Sequence, residues 1–104
     1  MQDNEFLSKI HEVFQNDQRI KFAYIFGSRA RGDAVLSSDY DLAVYLNETD
    51  RLKRFDIRME LLSKVARVVP GQGLDLVIIN DISSIAFLYD ISLGKLIFSR
   101  NDGE

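Results

Sequence analysis

Two aspartates, Asp39 and Asp41, are separated by a single residue, a spacing that could bring both carboxylates to one site. The apolar and β-branched run that follows, Tyr40–Leu46, predicts a strand. Residues two apart on a strand point to the same face, about 7 Å apart at the backbone. Carboxylates are hard oxygen ligands that suit Mg²⁺ or Mn²⁺, and two such ions about 4 Å apart can support phosphoryl transfer. The pair therefore indicates a divalent metal site, although a D-x-D pair alone is also common on exposed strand faces.

A third carboxylate, Asp75, lies within an otherwise apolar run, Leu74–Ile79. Burying a charge in such a strand is costly unless the charge is paired or metal-bound. One interpretation is that Asp75 lies at the start of the strand and faces solvent, or that it pairs with an arginine. The second is that it faces Asp39 and Asp41 from a neighbouring strand. In the second arrangement the three carboxylates repel one another unless cations neutralise them. That arrangement predicts that all three are catalytic and bind metal.

A glycine and a serine, Gly27 and Ser28, directly follow the first predicted strand. Glycine lets the backbone approach a phosphate closely, and the free amides of a following helical turn suit anions. Arg29 and Arg31 could clamp phosphates or could be solvated, and Arg31 is favoured because it lies nearer the second glycine turn. We predict that Gly27, Ser28, Arg31 and Ser38 bind a nucleotide. A plain strand-ending turn is the alternative for the Gly-Ser pair.

Apolar periodicity and breaker residues predict the remaining elements. The expected order is a helix over 4–16 capped by Asp3 or Asn4, a strand over 20–26, a loop over 27–38, a strand over 40–46, a helix capped by Thr49 or Asp50, a strand over 74–79, a helix capped by Ser83 or Ser84, and an edge strand over 95–99. The second long helix is expected to present one apolar face, made of Leu52, Phe55, Met59, Leu62 and Ala66. Strands alternating with helices predict an α/β (α+β) fold, in which helices pack on a mixed β-sheet.

Composition limits the classes of protein to which the chain could belong. Its 104 residues predict a single domain, 1–104, with a core of ordinary size. The net charge of −3 argues against binding an extended nucleic-acid duplex, which needs a basic face. No apolar run approaches the roughly 20 residues of a membrane span, so no membrane association is expected. The absence of cysteine excludes thiolate metal sites and agrees with a cytoplasmic protein.

The combined pattern, in which Gly-Ser is followed after ten residues by D-x-D and later by a strand aspartate, resembles the DNA polymerase β-like nucleotidyltransferase superfamily. The segments Gly27–Gly32 and Ser38–Leu42 are most similar to the minimal nucleotidyltransferase (MNT) antitoxins of HEPN/MNT toxin–antitoxin pairs. This resemblance spans nearly the whole chain and implies a nucleotidyltransferase fold.

The resemblance also implies roles for the residues above. Asp39 and Asp41 would bind two Mg²⁺ ions, with Mn²⁺ as a substitute. Asp75 would bind one of them and help to position or deprotonate the attacking hydroxyl, while Gly27 and Ser28 would hold the triphosphate of ATP. Such antitoxins transfer AMP from ATP to a tyrosine hydroxyl of a partner HEPN ribonuclease, which neutralises it. The implied partner is therefore a HEPN toxin in a hetero-oligomer.

Two other functions remain compatible with the same motif. One is a nucleotidyltransferase that modifies a small molecule, of the aminoglycoside-modifying type, although such enzymes usually carry a second domain for the acceptor. The other is a non-catalytic antitoxin that acts by binding its toxin.

Overall fold

A four-stranded mixed sheet organises the chain in the computed structural model, which describes residues 1–34 and 38–100. In chain order the elements are α1 (Asp3–Gln15), β1 (Ile20–Phe26), α2 (Ser28–Arg31), β2 (Tyr40–Leu46), α3 (Arg51–Val68), β3 (Leu74–Ile78), a 3₁₀ turn (Ile79–Asp81), α4 (Ile85–Ser92) and β4 (Lys95–Ser99). The strand order is β3-β2-β1-β4, with β2 and β3 parallel and the other pairs antiparallel. The predicted α/β (α+β) fold is confirmed. Residues 35–37 of the predicted loop lie outside the described residues.

The two faces of the sheet differ because successive residues of a strand point in opposite directions. One face of β2 is apolar and buried, with Tyr40, Leu42, Val44 and Leu46 all 1% exposed or less. The opposite face of the same strand carries Asp41, which is half-buried, and Tyr45, which is exposed. The core thus lies on one side of the sheet, and the carboxylate of Asp41 lies on the other.

Helix α1 covers the buried face of the sheet. The apolar side chains that it contributes to the core are four residues apart: Phe6, Ile10 and Phe14. The helix begins at Asp3, and its N-cap Gln2 makes no side-chain capping hydrogen bond. The prediction of Asp3 or Asn4 as the cap is therefore wrong. The carboxylate of Asp3 is engaged elsewhere, because it accepts hydrogen bonds from Arg29 and Tyr40.

Helix α3 packs beside α1 and against β3 through a different face from the one predicted. Its buried residues are Ile57, Leu61 and Val65. Two members of the predicted face, Leu52 and Phe55, are 79% and 58% exposed, so that prediction is wrong. The helix carries two interleaved apolar series, and the positions of α1 and β3 decide which of them is buried. The predicted cap Asp50 is confirmed, since its carboxylate accepts from the amides of Leu52 and Lys53.

Helix α4 lies against the other face of the sheet, where the ring of Phe87 contacts that of Phe26. Ser84 caps it by accepting a hydrogen bond from the amide of Phe87, as predicted. Gly94 follows the helix, and a Cβ there would collide with the carbonyl oxygen of Ile25. A glycine at this position therefore allows the backbone to approach β1 closely just before β4 begins beside it. Across residues 1–34 and 38–100, no helix has the length and apolar character of a membrane span.

Candidate active site

The three predicted aspartates lie together at one end of the sheet. Asp39 immediately precedes β2, and Asp41 is the second residue of that strand. The parallel register places Asp41 directly opposite Asp75 on β3. Paired residues on neighbouring strands point to the same face, with the strands about 4.8 Å apart. The side chain of Asp75 is 54% exposed, because β3 is an edge strand and this face of it is open. The fold thus brings together the residues that spacing alone could only suggest.

The charges of the three carboxylates act on one another. Burial raises the pKa of Asp41, and the negative charges of Asp75 and Asp39 raise it further, while Arg31 acts in the opposite sense. Among the described residues, no three carboxylate or imidazole side chains converge into a ready-made metal cage. Mutual repulsion favours such a spread arrangement. A cation between the carboxylates would relieve the repulsion, and their hard oxygen atoms suit a divalent ion such as Mg²⁺.

Two glycines make room for these carboxylates. Gly27 ends β1 and has a φ of 74° and a ψ of −156°, a region that essentially only glycine adopts. A Cβ on Gly27 would collide with the carboxylate of Asp41, and a Cβ on Gly73 would collide with that of Asp39. Local patterns in the sequence did not identify Gly73 as a residue of the site. Its closeness to Asp39 arises from the pairing of β2 with β3, which local sequence does not reveal.

The Gly27–Ser28 turn forms the start of a short helix beside the aspartates. The amides of Ala30 and Arg31 both donate to the carbonyl of Gly27, at 3.1 Å each. Arg31 is 64% exposed and lies 3.2 Å from the carboxylate of Asp33, so its guanidinium is within reach of a ligand from solvent. A cavity of about 370 Å³ opens between this turn and α4, where Phe87 and Asp90 contribute to its lining. Gly27 and Arg31 also line this cavity, so it lies directly beside the turn.

The remaining arginines of the region have structural contacts. Arg29 is only 10% exposed and donates to the backbone carbonyl of Ser38 at 3.0 and 3.3 Å, so the alternative that it clamps phosphates is not supported. Arg58 of α3 donates to the carbonyl of Leu76 at 2.7 Å and lies 3.9 Å from the carboxylate of Asp75. Ser38 is one of the predicted nucleotide-binding residues. It lies beside Asp39, and its backbone carbonyl accepts the hydrogen bonds from Arg29.

Comparison with known proteins agrees with this geometry. The sequence profile of the family described as "Polymerase beta, Nucleotidyltransferase" matches residues 8–103. No functionally curated sequence shows significant similarity to the chain.

Several solved structures share the fold. A toxin–antitoxin complex with AMP-PNP has a TM-score of 0.68 and 24% identity, over 97% of this chain and 76% of that one. A tri-AMPylated Shewanella oneidensis HEPN toxin in complex with its MNT antitoxin gives a TM-score of 0.64 and 24% identity, over 96% and 74% of the two chains. The MntA–HepT toxin–antitoxin complex gives 0.63 and 24%, over 95% and 74%.

At these identities the structural similarity establishes a common fold, and the profile match covers nearly the entire chain. The predicted nucleotidyltransferase fold is confirmed. This chain belongs to the polymerase β nucleotidyltransferase family.

Proposed function

We propose that this chain transfers AMP from ATP to a tyrosine hydroxyl of a HEPN toxin and thereby acts as its antitoxin. The observation that carries the proposal is the cluster of Asp39, Asp41 and Asp75 on the open face of the sheet, next to the Gly27 turn. Support for the acceptor comes from the structural neighbours, one of which is an MNT antitoxin in complex with a tri-AMPylated HEPN toxin. The AMP-PNP in another neighbour supports ATP as the donor. Because ATP is the donor, we place the reaction in the cytoplasm.

The three aspartates would hold two Mg²⁺ ions, for which Mn²⁺ could substitute. Such ions activate an attacking oxygen and stabilise the charge on a leaving phosphate. The raised pKa of Asp41 fits this role, because burial and two neighbouring negative charges disfavour its ionised form and a bound cation would favour it again. Gly27 and Ser28 would bind the triphosphate through their backbone amides, and Arg31 would contact its oxygens from solvent. Ser38 would complete the nucleotide contacts beside Asp39.

The reaction requires a balanced exchange at the α-phosphorus. The tyrosine oxygen forms a bond to this phosphorus, the bond to the bridging oxygen breaks, and pyrophosphate leaves. The acceptor's proton passes to the carboxylate of Asp75, whose 54% exposure lets a partner side chain approach it. The acceptor would approach the sheet on the face opposite the core, over β2 and β3, where Asp75 and Tyr45 are exposed.

Intact-mass spectrometry tests this proposal. The HEPN partner is incubated with ATP, Mg²⁺ and the chain, in parallel with an Asp39→Asn/Asp41→Asn variant. The charge-matched control is Asp56→Asn with Glu12→Gln. It alters two exposed carboxylates on α3 and α1, the helices that cover the buried face of the sheet. We expect whole AMP units on the toxin with the wild type and the control only.

Other outcomes point to other functions. A stable complex with no added mass, together with neutralisation by the Asp39/Asp41 variant, would show that binding alone suffices. Modification of an aminoglycoside panel without the partner protein would identify a small-molecule nucleotidyltransferase.

A further inference from the structure

The side chain of Arg29, which is only 10% exposed, contacts the residues on either side of Asp39. We propose that Arg29 is a positioning residue that fixes Asp39 relative to the Gly27–Ser28 turn, which would bind the triphosphate. This inference rests on the proposed function, because it assumes that Asp39 binds a metal ion. Arg29 would touch neither the nucleotide nor the metal, and would act through the backbone of Ser38.

The first observation is the contact of Arg29 with the residue preceding Asp39. Its Nε and Nη2 both donate to the carbonyl oxygen of Ser38, at 3.3 and 3.0 Å. Arg29 itself follows Ser28 in α2, so one side chain joins the Gly27–Ser28 turn to the chain segment that carries Asp39. A planar guanidinium that donates twice to one oxygen fixes direction as well as distance.

The second observation is an anchor on the residue that follows Asp39. The carboxylate of Asp3 accepts from Arg29 Nη1 at 3.0 Å and from the hydroxyl of Tyr40 at 2.5 Å. The guanidinium carbon of Arg29 also lies 4.3 Å from the centre of the Tyr40 ring. Phe6 stacks on this ring with centroids 3.6 Å apart.

Asp39 is therefore held from both sides. On one side, the carbonyl of Ser38 accepts hydrogen bonds from Arg29. On the other side, Tyr40 is packed in the core and donates to Asp3, the carboxylate that also binds Arg29. A buried charge needs such partners, because leaving it unpaired is costly. Asp39 itself is exposed, so its own side chain has little packing to orient it. The network behind it supplies that orientation.

The test uses Arg29→Lys, which keeps the positive charge and removes the planar fork. The matched control is Arg100→Lys at the opposite end of the sheet, where an arginine binds the carbonyls of Phe14, Gln15 and Ile20 in a similar way. Mn²⁺ binding is measured by electron paramagnetic resonance in the presence of AMP-PNP, so that no turnover is needed. Thermal unfolding of each variant is measured alongside.

We expect Arg29→Lys to weaken Mn²⁺ binding by about 10–100-fold, as for other residues that orient a metal ligand. Arg100→Lys should lower the Tm and leave Mn²⁺ binding at the wild-type value. Wild-type Mn²⁺ affinity in Arg29→Lys would overturn the inference, and so would equal weakening in both variants.

A wild-type chain that binds no Mn²⁺ would overturn the proposed metal site itself, and this inference with it. If Arg29→Lys does not fold, Asp3→Asn serves the same purpose, because it removes the anionic anchor and leaves the arginine in place. We expect weakened Mn²⁺ binding in that variant as well, and unchanged binding would contradict the role of the network.

Discussion

Replacing Gly73 with alanine separates the geometry of the candidate site from the stability of the fold. Gly73 does not have a positive φ, so an alanine meets no backbone strain there. The added Cβ would collide with the carboxylate of Asp39, which is exposed and can swing towards solvent. The chain thus relieves the collision cheaply, by moving a predicted metal ligand. We expect the free energy of unfolding to change by less than about 1 kcal/mol, because Gly→Ala also restricts the unfolded chain.

The effect of Gly73→Ala on nucleotidyl transfer should be large. A displacement of about 1 Å in a reacting constellation can lower the rate by about 100-fold. Gly71→Ala is the matched control two residues away, since Gly71 has a φ of 81° and a Cβ there would have open space around it. That variant should lose about 1–2 kcal/mol to left-handed backbone strain and keep its activity.

The assay compares initial rates of AMP transfer with the Tm of each variant. Since 1 kcal/mol shifts the Tm of a domain of this size by about 4–8 °C, the strain in Gly71→Ala is measurable. The reasoning is refuted if Gly73→Ala transfers AMP at the wild-type rate. It is also refuted if Gly71→Ala loses activity as severely as Gly73→Ala.

Three further predictions concern the scaffold. The hydrogen bond from Arg19 lowers the pKa of the buried Asp17, so this contribution to stability is present above the unfolded pKa of about 3.8 and is lost as the pH falls through the folded pKa. Denaturation measured from about pH 5 down to about pH 2 should therefore show a steeper loss of stability in the wild type than in Asp17→Asn. Leu61→Ala should lower the free energy of unfolding in urea by about 2–5 kcal/mol, whereas Leu52→Ala should leave it unchanged, because only Leu61 is buried. Equal losses in the two variants would contradict the burial of the Leu61 face of α3. Asn80→Ala should lower the free energy of unfolding in chemical denaturation by about 1–3 kcal/mol. The side-chain amide of Asn80 accepts a hydrogen bond from the amide of Leu46 in β2 and donates one to its carbonyl, each at 2.9 Å.

The elements of this fold were largely predictable from local sequence, whereas the burial of their faces was less so. The strands over 20–26, 40–46 and 95–99 have the predicted bounds, since apolar runs ending at polar or glycine residues define them. In α3, both Leu52 and Leu61 belong to plausible helical faces. Only the placement of a distant helix and strand distinguishes them, and periodicity carries no such information.

The same limit applies to the candidate site. Asp39 and Asp41 were recognisable from spacing, and Asp75 from its unusual place in an apolar strand. The contacts of Arg29 with Asp3 and of Gly73 with Asp39 join residues that are 26 and 34 positions apart. A short motif shows which residues bear the chemistry. The residues that hold them in place are identified only by the fold.

The alternation along β2 determines which positions of the strand can be substituted. Leu42 and Val44 pack in the core, whereas Asp41 and Tyr45 point to the opposite face. Substitution of the exposed Tyr45 leaves the core packing of the strand intact, so it should use little of the small stability margin of a domain. Exposed residues around the candidate site can therefore be redesigned on this scaffold without repacking its core.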